Sequence, residues 1–279
     1  MFIIIASNFV LSILFAQTVF HINLYLLFST FFTKKVCYRP ELLLIYCKIA
    51  ADICYSFTVS IMKSYFLVIL CYKHLAVKNL SIYMLETSVT MGIIKGTFAF
   101  MITLERFISV FFPIHYRNNR RKIPFYWIII PILGHILFDH FIMFCFCGNV
   151  REVPLDCDNF QCTFNKCYQR FWETRDQVVF SLIEIMSVLF FVRLYIWKRT
   201  SRRLSKVTQI ALLDSLIYLF FNVIPIILYS HFSPTSVKVN YPPITISRNA
   251  GSVIESIILW RLLKAKKKVT PNKYISGNL

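Results

Sequence analysis

Long apolar runs, separated by short polar and basic segments, constrain this chain more than any other feature. A helix needs about 20 apolar residues to cross a hydrocarbon core. Seven runs meet that length: Ile3–Phe32, Leu42–Cys71, Ser81–Phe112, Pro124–Cys147, Asp176–Trp197, Ile210–Phe232 and Ile244–Leu263. Backbone amides find no water in that core, so each span is either a helix or a strand of a closed barrel. Barrel strands are short and alternate apolar with polar residues. These runs are long and apolar on every side, which predicts an all-α membrane protein, a bundle of seven transmembrane helices. Of 279 residues, 57% are hydrophobic and only 16% charged, which leaves no room for a separate soluble domain. One domain over 1–279 is expected, closing in a short basic tail at 264–279. No internal repeat or low-complexity segment is present.

The formal charge of +18 would suggest nucleic acid on a soluble protein. Here the basic residues cluster between apolar runs, so they read as topology signals, and no nucleic-acid partner is expected. The linkers after spans 1, 3 and 5, with the tail, carry nineteen Lys and Arg; the opposite side carries seven. The positive side faces the cytosol. Seven spans then place the N-terminus outside and the C-terminus in the cytosol. Asn79-Leu80-Ser81 is a glycosylation sequon on the expected outer side. No cleavable signal peptide is expected, because the first apolar run is too long for one; span 1 serves as its own membrane signal.

The most informative residues close span 3: Glu105-Arg106-Phe107, with Pro113 eight residues and Tyr116 eleven residues beyond the acid. An arginine at this depth needs a partner or must snorkel to the headgroups. Glu105 is an adjacent carboxylate. The plain reading is a helix-end arginine reaching lipid. The sharper one is that the acid, arginine, aromatic, proline and tyrosine resemble the third-helix motif of rhodopsin-like G-protein-coupled receptors. A wider resemblance covers most of the chain. Pro113 to Pro124, with Tyr116-Arg117-Asn118 and Ile123-Pro124, is similar to nematode serpentine chemoreceptors of class BC. So are the loop with Cys157, Cys162-Thr163-Phe164-Asn165-Lys166-Cys167 and Phe171-Trp172-Glu173-Thr174, and the start of span 6 at Ala211-Leu212-Leu213-Asp214.

The resemblance implies a chemosensory receptor in the plasma membrane, in sensory cilia. It implies a small-molecule ligand outside and a heterotrimeric G protein inside, with no cofactor. Glu105, Arg106, Phe107, Pro113, Tyr116 and Asp214 would form the activation switch. Two features depart from the rhodopsin-like pattern. Span 7 reads Asn249-Ala250-Gly251-Ser252-Val253-Ile254 where Asn-Pro-x-x-Tyr would stand, and no cysteine occupies the outer end of span 3.

Cysteine number and placement leave several disulfides open. Cys157, Cys162 and Cys167 lie in the predicted outer loop, where disulfides form. A bridge can join two of them, or one of them to Cys71 or Cys147; spacing does not choose. A zinc site is disfavoured, because the loop has no histidine and no zinc-ligand spacing. Cys37 is a candidate for lipidation. Ionisable residues inside spans usually face the bundle interior. Lys48 and Asp52 stand one turn apart and are expected to pair along their own helix. Lys95 is mid-span on the central helix and is the leading candidate to line a ligand cavity, with Glu184 and Glu255. Arg106 and Asp214 share a depth and are expected to pair in the resting state; alternatively, Asp214 favours the positive end of its own helix. Pro225 frees a carbonyl in span 6 and allows a bend. A small transporter or ion channel is the alternative function; the lack of repeats argues against it. No catalytic motif or metal-ligand set is present, so an enzyme is not expected.

Overall fold

A computed structural model describes residues 2–33, 42–114, 116, 126–154, 157, 160–198, 206–225, 228 and 242–264. Long apolar runs with few internal glycines or prolines give seven long helices and no strand among the described residues. They are α1 (Phe2–Phe31), α2 (Leu43–Cys71), α3 (Leu80–Phe111), α4 (Tyr126–His140), α5 (Lys166–Lys198), α6 (Lys206–Tyr218) and α7 (Pro242–Lys264). Helix α4 continues as π-helical turns over Phe141–Phe146, and α6 does so over Leu219–Val223.

Helix α3 is the axis of the bundle: it packs on α2, α4, α5 and α6. Helix α1 packs on α2 and α7, and α7 on α6, which closes a ring. Helix α4 sits on the outside of α3 and leaves most of its apolar surface exposed. Such a surface suits lipid rather than water. Ile5–Phe31, Leu43–Cys71, Leu80–Phe111 and Tyr126–Phe146 are long and apolar enough to cross a membrane by composition alone. Helices α5 and α7 carry more charge, and much of it is turned toward other helices, as described below.

Two local features depart from the expected boundaries. Helix α5 begins at Lys166, ten residues before the predicted span and inside the stretch read as loop. Its first turn is held by a disulfide and by Asn165, whose Oδ1 accepts from the backbone N–H of Tyr168 at 2.9 Å. Pro225 cannot donate to the carbonyl four residues back, that of Phe221. Ser247 of α7 supplies the missing bond, with Oγ donating to Phe221 O at 3.0 Å. The freed carbonyl is thus an attachment point for α7. Nearby, Gly251 meets α6 so closely that a Cβ there would stand 2.6 Å from Phe221 Cβ.

Substituting Gly251 by Ala forces α6 and α7 apart, at a cost of about 1–3 kcal/mol, as for overpacked cores generally. Gly96→Ala, where a Cβ meets no atom within 4 Å, serves as the control. It stabilises α3 by up to about 1 kcal/mol through helix propensity. Thermal melting of both variants in lipid nanodiscs distinguishes the two effects.

Candidate functional site

Half-way along α3, Lys95 enters the bundle interior and meets charges from two other helices. Its Nζ lies 2.9 Å from Asp52 Oδ1 on α2 and donates to Ser252 Oγ on α7 at 3.1 Å. Beside it Lys48 of α2 is ion-paired with Glu255 of α7. Both members of that pair are about 95% or more buried. The Lys48 ammonium also stands over the Tyr218 ring of α6 at 5.7 Å, and that of Lys95 over the Tyr55 ring at 5.3 Å. Two cations and two carboxylates thus form one neutral cluster that joins α2, α3, α6 and α7. A charge in a low-dielectric interior is tolerated only when compensated, so each member depends on the others.

Along α2 the structure gives Lys48 and Asp52 each a charged partner on another helix. Lys48 and Asp52 share a face, as residues four apart must, but that face points into the bundle. There α7 and α3 offer each a partner on another helix. On α7, Arg248, Ser252 and Glu255 follow a three- and four-residue spacing and make one polar stripe. Each member reaches a different helix: Arg248 to Asp176 of α5 at 3.4 Å, Ser252 to Lys95, Glu255 to Lys48. Glu184 does not join them. It is half-buried on α5, and its Oε1 has no hydrogen-bond partner among the described residues.

The end of the bundle that holds the cysteines is tied by two disulfides drawn from the expected cysteines and by a polar network around Asp139 that the sequence did not reveal. Cys147 is bonded to Cys167, and Cys157 to Cys162. Cys71, a candidate for either bridge, is free and exposed. Asp139 of α4 is fully buried; Arg175 of α5 is ion-paired with its Oδ1, and Tyr168 OH donates to its Oδ2 at 2.7 Å. Burial first, and then the adjacent Asp139 charge, push the Tyr168 phenol above its ordinary range, so it stays a neutral donor. Arg175 also contacts Asp176 at 3.0 Å, which links this network to Arg248. Glu86 of α3 receives Arg151 at 2.9 Å and faces His140 at 3.3 Å. Asn79 adopts a left-handed backbone with φ 62°, a conformation that asparagine tolerates better than most residues. Its Oδ1 accepts from Val153 N at 3.1 Å, and Ser81 of the sequon is buried, so the folded chain gives Asn79 a structural contact. Asp139 was a visible signal, as the sole carboxylate in the predicted fourth span.

At the opposite end of α3, Arg106 is buried and its Nη2 lies 3.0 Å from Glu105 Oε2. The Tyr116 hydroxyl donates to the other oxygen, Oε1. One carboxylate therefore holds both the arginine and the tyrosine of the motif. Pro113 is exposed just after the helix, and Phe107 stacks on Phe111 with ring centroids 4.4 Å apart. The Asp214 side chain lies outside the described residues, as do Cys37 and most of the linkers.

Removing one member of a buried pair strands the other. Lys48→Met is expected to lower stability by about 3–5 kcal/mol, and the double variant Lys48→Met/Glu255→Met to recover most of that loss. Melting temperatures of the purified variants, combined in a double-mutant cycle, measure the coupling.

These features (seven helices, a cysteine-linked end, a charged interior and an acid–arginine–aromatic motif at the far end of the third helix) accord with comparison against known families. No curated protein sequence matches the chain closely enough to count as a relative. The family model described as serpentine type 7TM GPCR chemoreceptor Srbc matches residues 1–267. That match spans nearly the whole chain, and the protein belongs to this family of seven-transmembrane serpentine chemoreceptors.

Proposed function

We propose that this chain is a ligand-activated chemosensory receptor that signals to a heterotrimeric G protein at the Arg106 end of the bundle. The cysteine end would face outside, with the N-terminus there and the C-terminus in the cytosol. The basic linkers favour that orientation, and so do the two disulfides, which form in oxidising compartments. The plasma membrane, in sensory cilia, is the corresponding site of action.

The observation that carries this reading is the Glu105–Arg106–Tyr116 cluster at the end of the central helix. It holds a buried cation against Glu105, whose other oxygen accepts from Tyr116. A ligand bound in the outer half would favour a second conformation in proportion to its differential affinity for the two states. Opening would free Arg106 for the transducer. The polar stripe of α7 offers a route for that coupling, because it touches α2, α3 and α5 at three depths. A transporter or channel would need a hydrated charge path. The four charges at the centre are instead buried and mutually neutralised, which favours the receptor.

Arg106→Ala is expected to abolish G-protein activation while surface expression stays intact. Tyr116→Phe, which removes the hydroxyl that holds Glu105, is expected to raise basal activity. Both are read by nucleotide exchange on G protein in membranes, with expression followed by surface labelling. Normal activation by Arg106→Ala would overturn the mechanism. Glycosylation tags in successive linkers test the orientation separately.

A further inference from the structure

Near the cysteine end, one carboxylate of α3 collects two basic groups from elsewhere in the chain. Glu86 stands six residues after the first of α3, about 9 Å along the helix at 1.5 Å per residue. Its Oε1 lies 2.9 Å from Arg151 Nη2 and 3.3 Å from His140 Nε2. Arg151 belongs to the segment that follows α4 and lies over two rings, Tyr83 of α3 at 5.8 Å and Phe144 at 4.7 Å. His140 closes the regular part of α4, where its π-helical turns begin. The Glu86 side chain is largely buried, whereas those of His140 and Arg151 are 30% and 51% exposed. A half-exposed arginine on the same carboxylate places this group at the aqueous edge of the bundle, within reach of protons.

Both ring nitrogens of His140 meet acceptors. Nδ1 lies 3.0 Å from the Ile136 carbonyl, one turn back on α4, and Nε2 faces Glu86. A carbonyl and an ionised carboxylate only accept hydrogen bonds. A neutral imidazole has one N–H, so either tautomer turns a lone pair against an oxygen. The imidazolium has two N–H groups and satisfies both oxygens. His135, five residues earlier on α4, is the contrast. Its Nδ1 meets Thr97 Oγ1 at 2.9 Å, and that hydroxyl already donates to Ile93 O at 2.7 Å. The hydroxyl therefore accepts one bond from the ring, which the neutral form supplies. Around His140, α3 contributes Glu86, the following segment contributes Arg151, and the Phe144 ring stands 6.2 Å away. Asp139, next to it in sequence, is turned to Arg175 and Tyr168 of α5. Arg151 opposes a second positive charge, but it is the more exposed neighbour and water screens it more than it screens Glu86.

We propose that His140 is a proton-binding site that regulates the receptor: when protonated, it clamps α4 and the segment after it to α3 through Glu86. Helix α3 is the helix on which α4 chiefly packs, so this joint governs how the two meet at the cysteine end. The clamp is closed in the same conformation that holds Arg106 on Glu105, so protons outside favour that resting state. The stabilisation is present in acid. It is lost as the pH rises, because the deprotonated ring turns a lone pair to the carboxylate or to the Ile136 carbonyl and leaves Arg151 alone on Glu86. The proton site stands on the local geometry; its effect on signalling rests on the receptor reading above.

The test uses full-length receptor in nanodiscs at about pH 5 and about pH 8, the range over which histidine changes charge. Melting temperatures of wild type, His140→Gln, Glu86→Gln and the double variant form a cycle at each pH. The coupling between the two positions is expected to be favourable at the lower pH and to fall by more than half at the higher. His135→Gln should leave that difference unchanged. Should Glu86→Gln not fold, His140→Lys carries the test: it keeps the cation, so its melting temperature should gain on wild type as the pH rises. Basal nucleotide exchange on G protein is then measured relative to His140→Gln at the same pH. It should rise about fivefold in wild type between the lower and the higher pH, and stay low at both in His140→Lys. A coupling independent of pH, or a pH response that survives Glu86→Gln, overturns the proton site. A pH-dependent coupling with basal exchange that responds equally in wild type and His140→Gln overturns the regulation. No G-protein activation by any variant at either pH would overturn the receptor reading instead, and the melting cycle would still decide the site.

Discussion

The architecture turns on a neutral cluster of four charges buried at the centre of a helix bundle. Lys48, Asp52, Lys95 and Glu255 come from three helices, and none of them is tolerable in hydrocarbon alone. Apolar packing between transmembrane helices is weakly directional, because lipid tails solvate leucine as well as another helix does. The charges supply direction. They set the rotation of α2, α3 and α7 about their axes and the relative heights at which the helices meet. Apolar residues such as Leu26, Ile49 and Ile102 then fill the space around that arrangement.

Polar contacts at the two ends have different character. At the cysteine end, disulfides and the fully buried Asp139 with Tyr168 and Arg175 tie α4 to α5 through several simultaneous bonds. At the Arg106 end a single carboxylate, Glu105, holds both Arg106 and Tyr116. The α7 stripe lies between them. It occupies the helix in which the Asn-Pro-x-x-Tyr pattern is missing, and the attachment of Ser247 to the carbonyl freed by Pro225 gives α6 and α7 a joint of their own.

Much of this was legible in the chain. Runs of about 20 apolar residues leave little choice but helices, and the basic linkers divide the two faces. The Glu105-Arg106-Phe107 motif and the cysteine loop carried the family resemblance that the family match then supported. The charged positions were visible as well, but their partners were not. Lys48 and Asp52 look like a pair along one helix, since four residues is a favourable spacing. Nothing in a linear string says that their shared face meets Lys95 and Glu255 more closely. The three additional turns at the start of α5 were hidden for a similar reason: Lys166 to Arg175 is polar and reads as loop until Cys167 and Tyr168 are anchored to α4.

Sequence by itself determined the solvent of this protein, its seven-helix class and the position of its motif, because those depend on local composition and spacing. Tertiary structure decided which cysteines join and which charges neutralise one another. Those outcomes depend on the rotation and height of one helix against another, and those are set by the whole bundle at once. Lys63 of α2 shows the difference: in the chain it resembles Lys48 and Lys95, but in the fold, among the described residues, it meets the Phe9 ring where those two meet carboxylates.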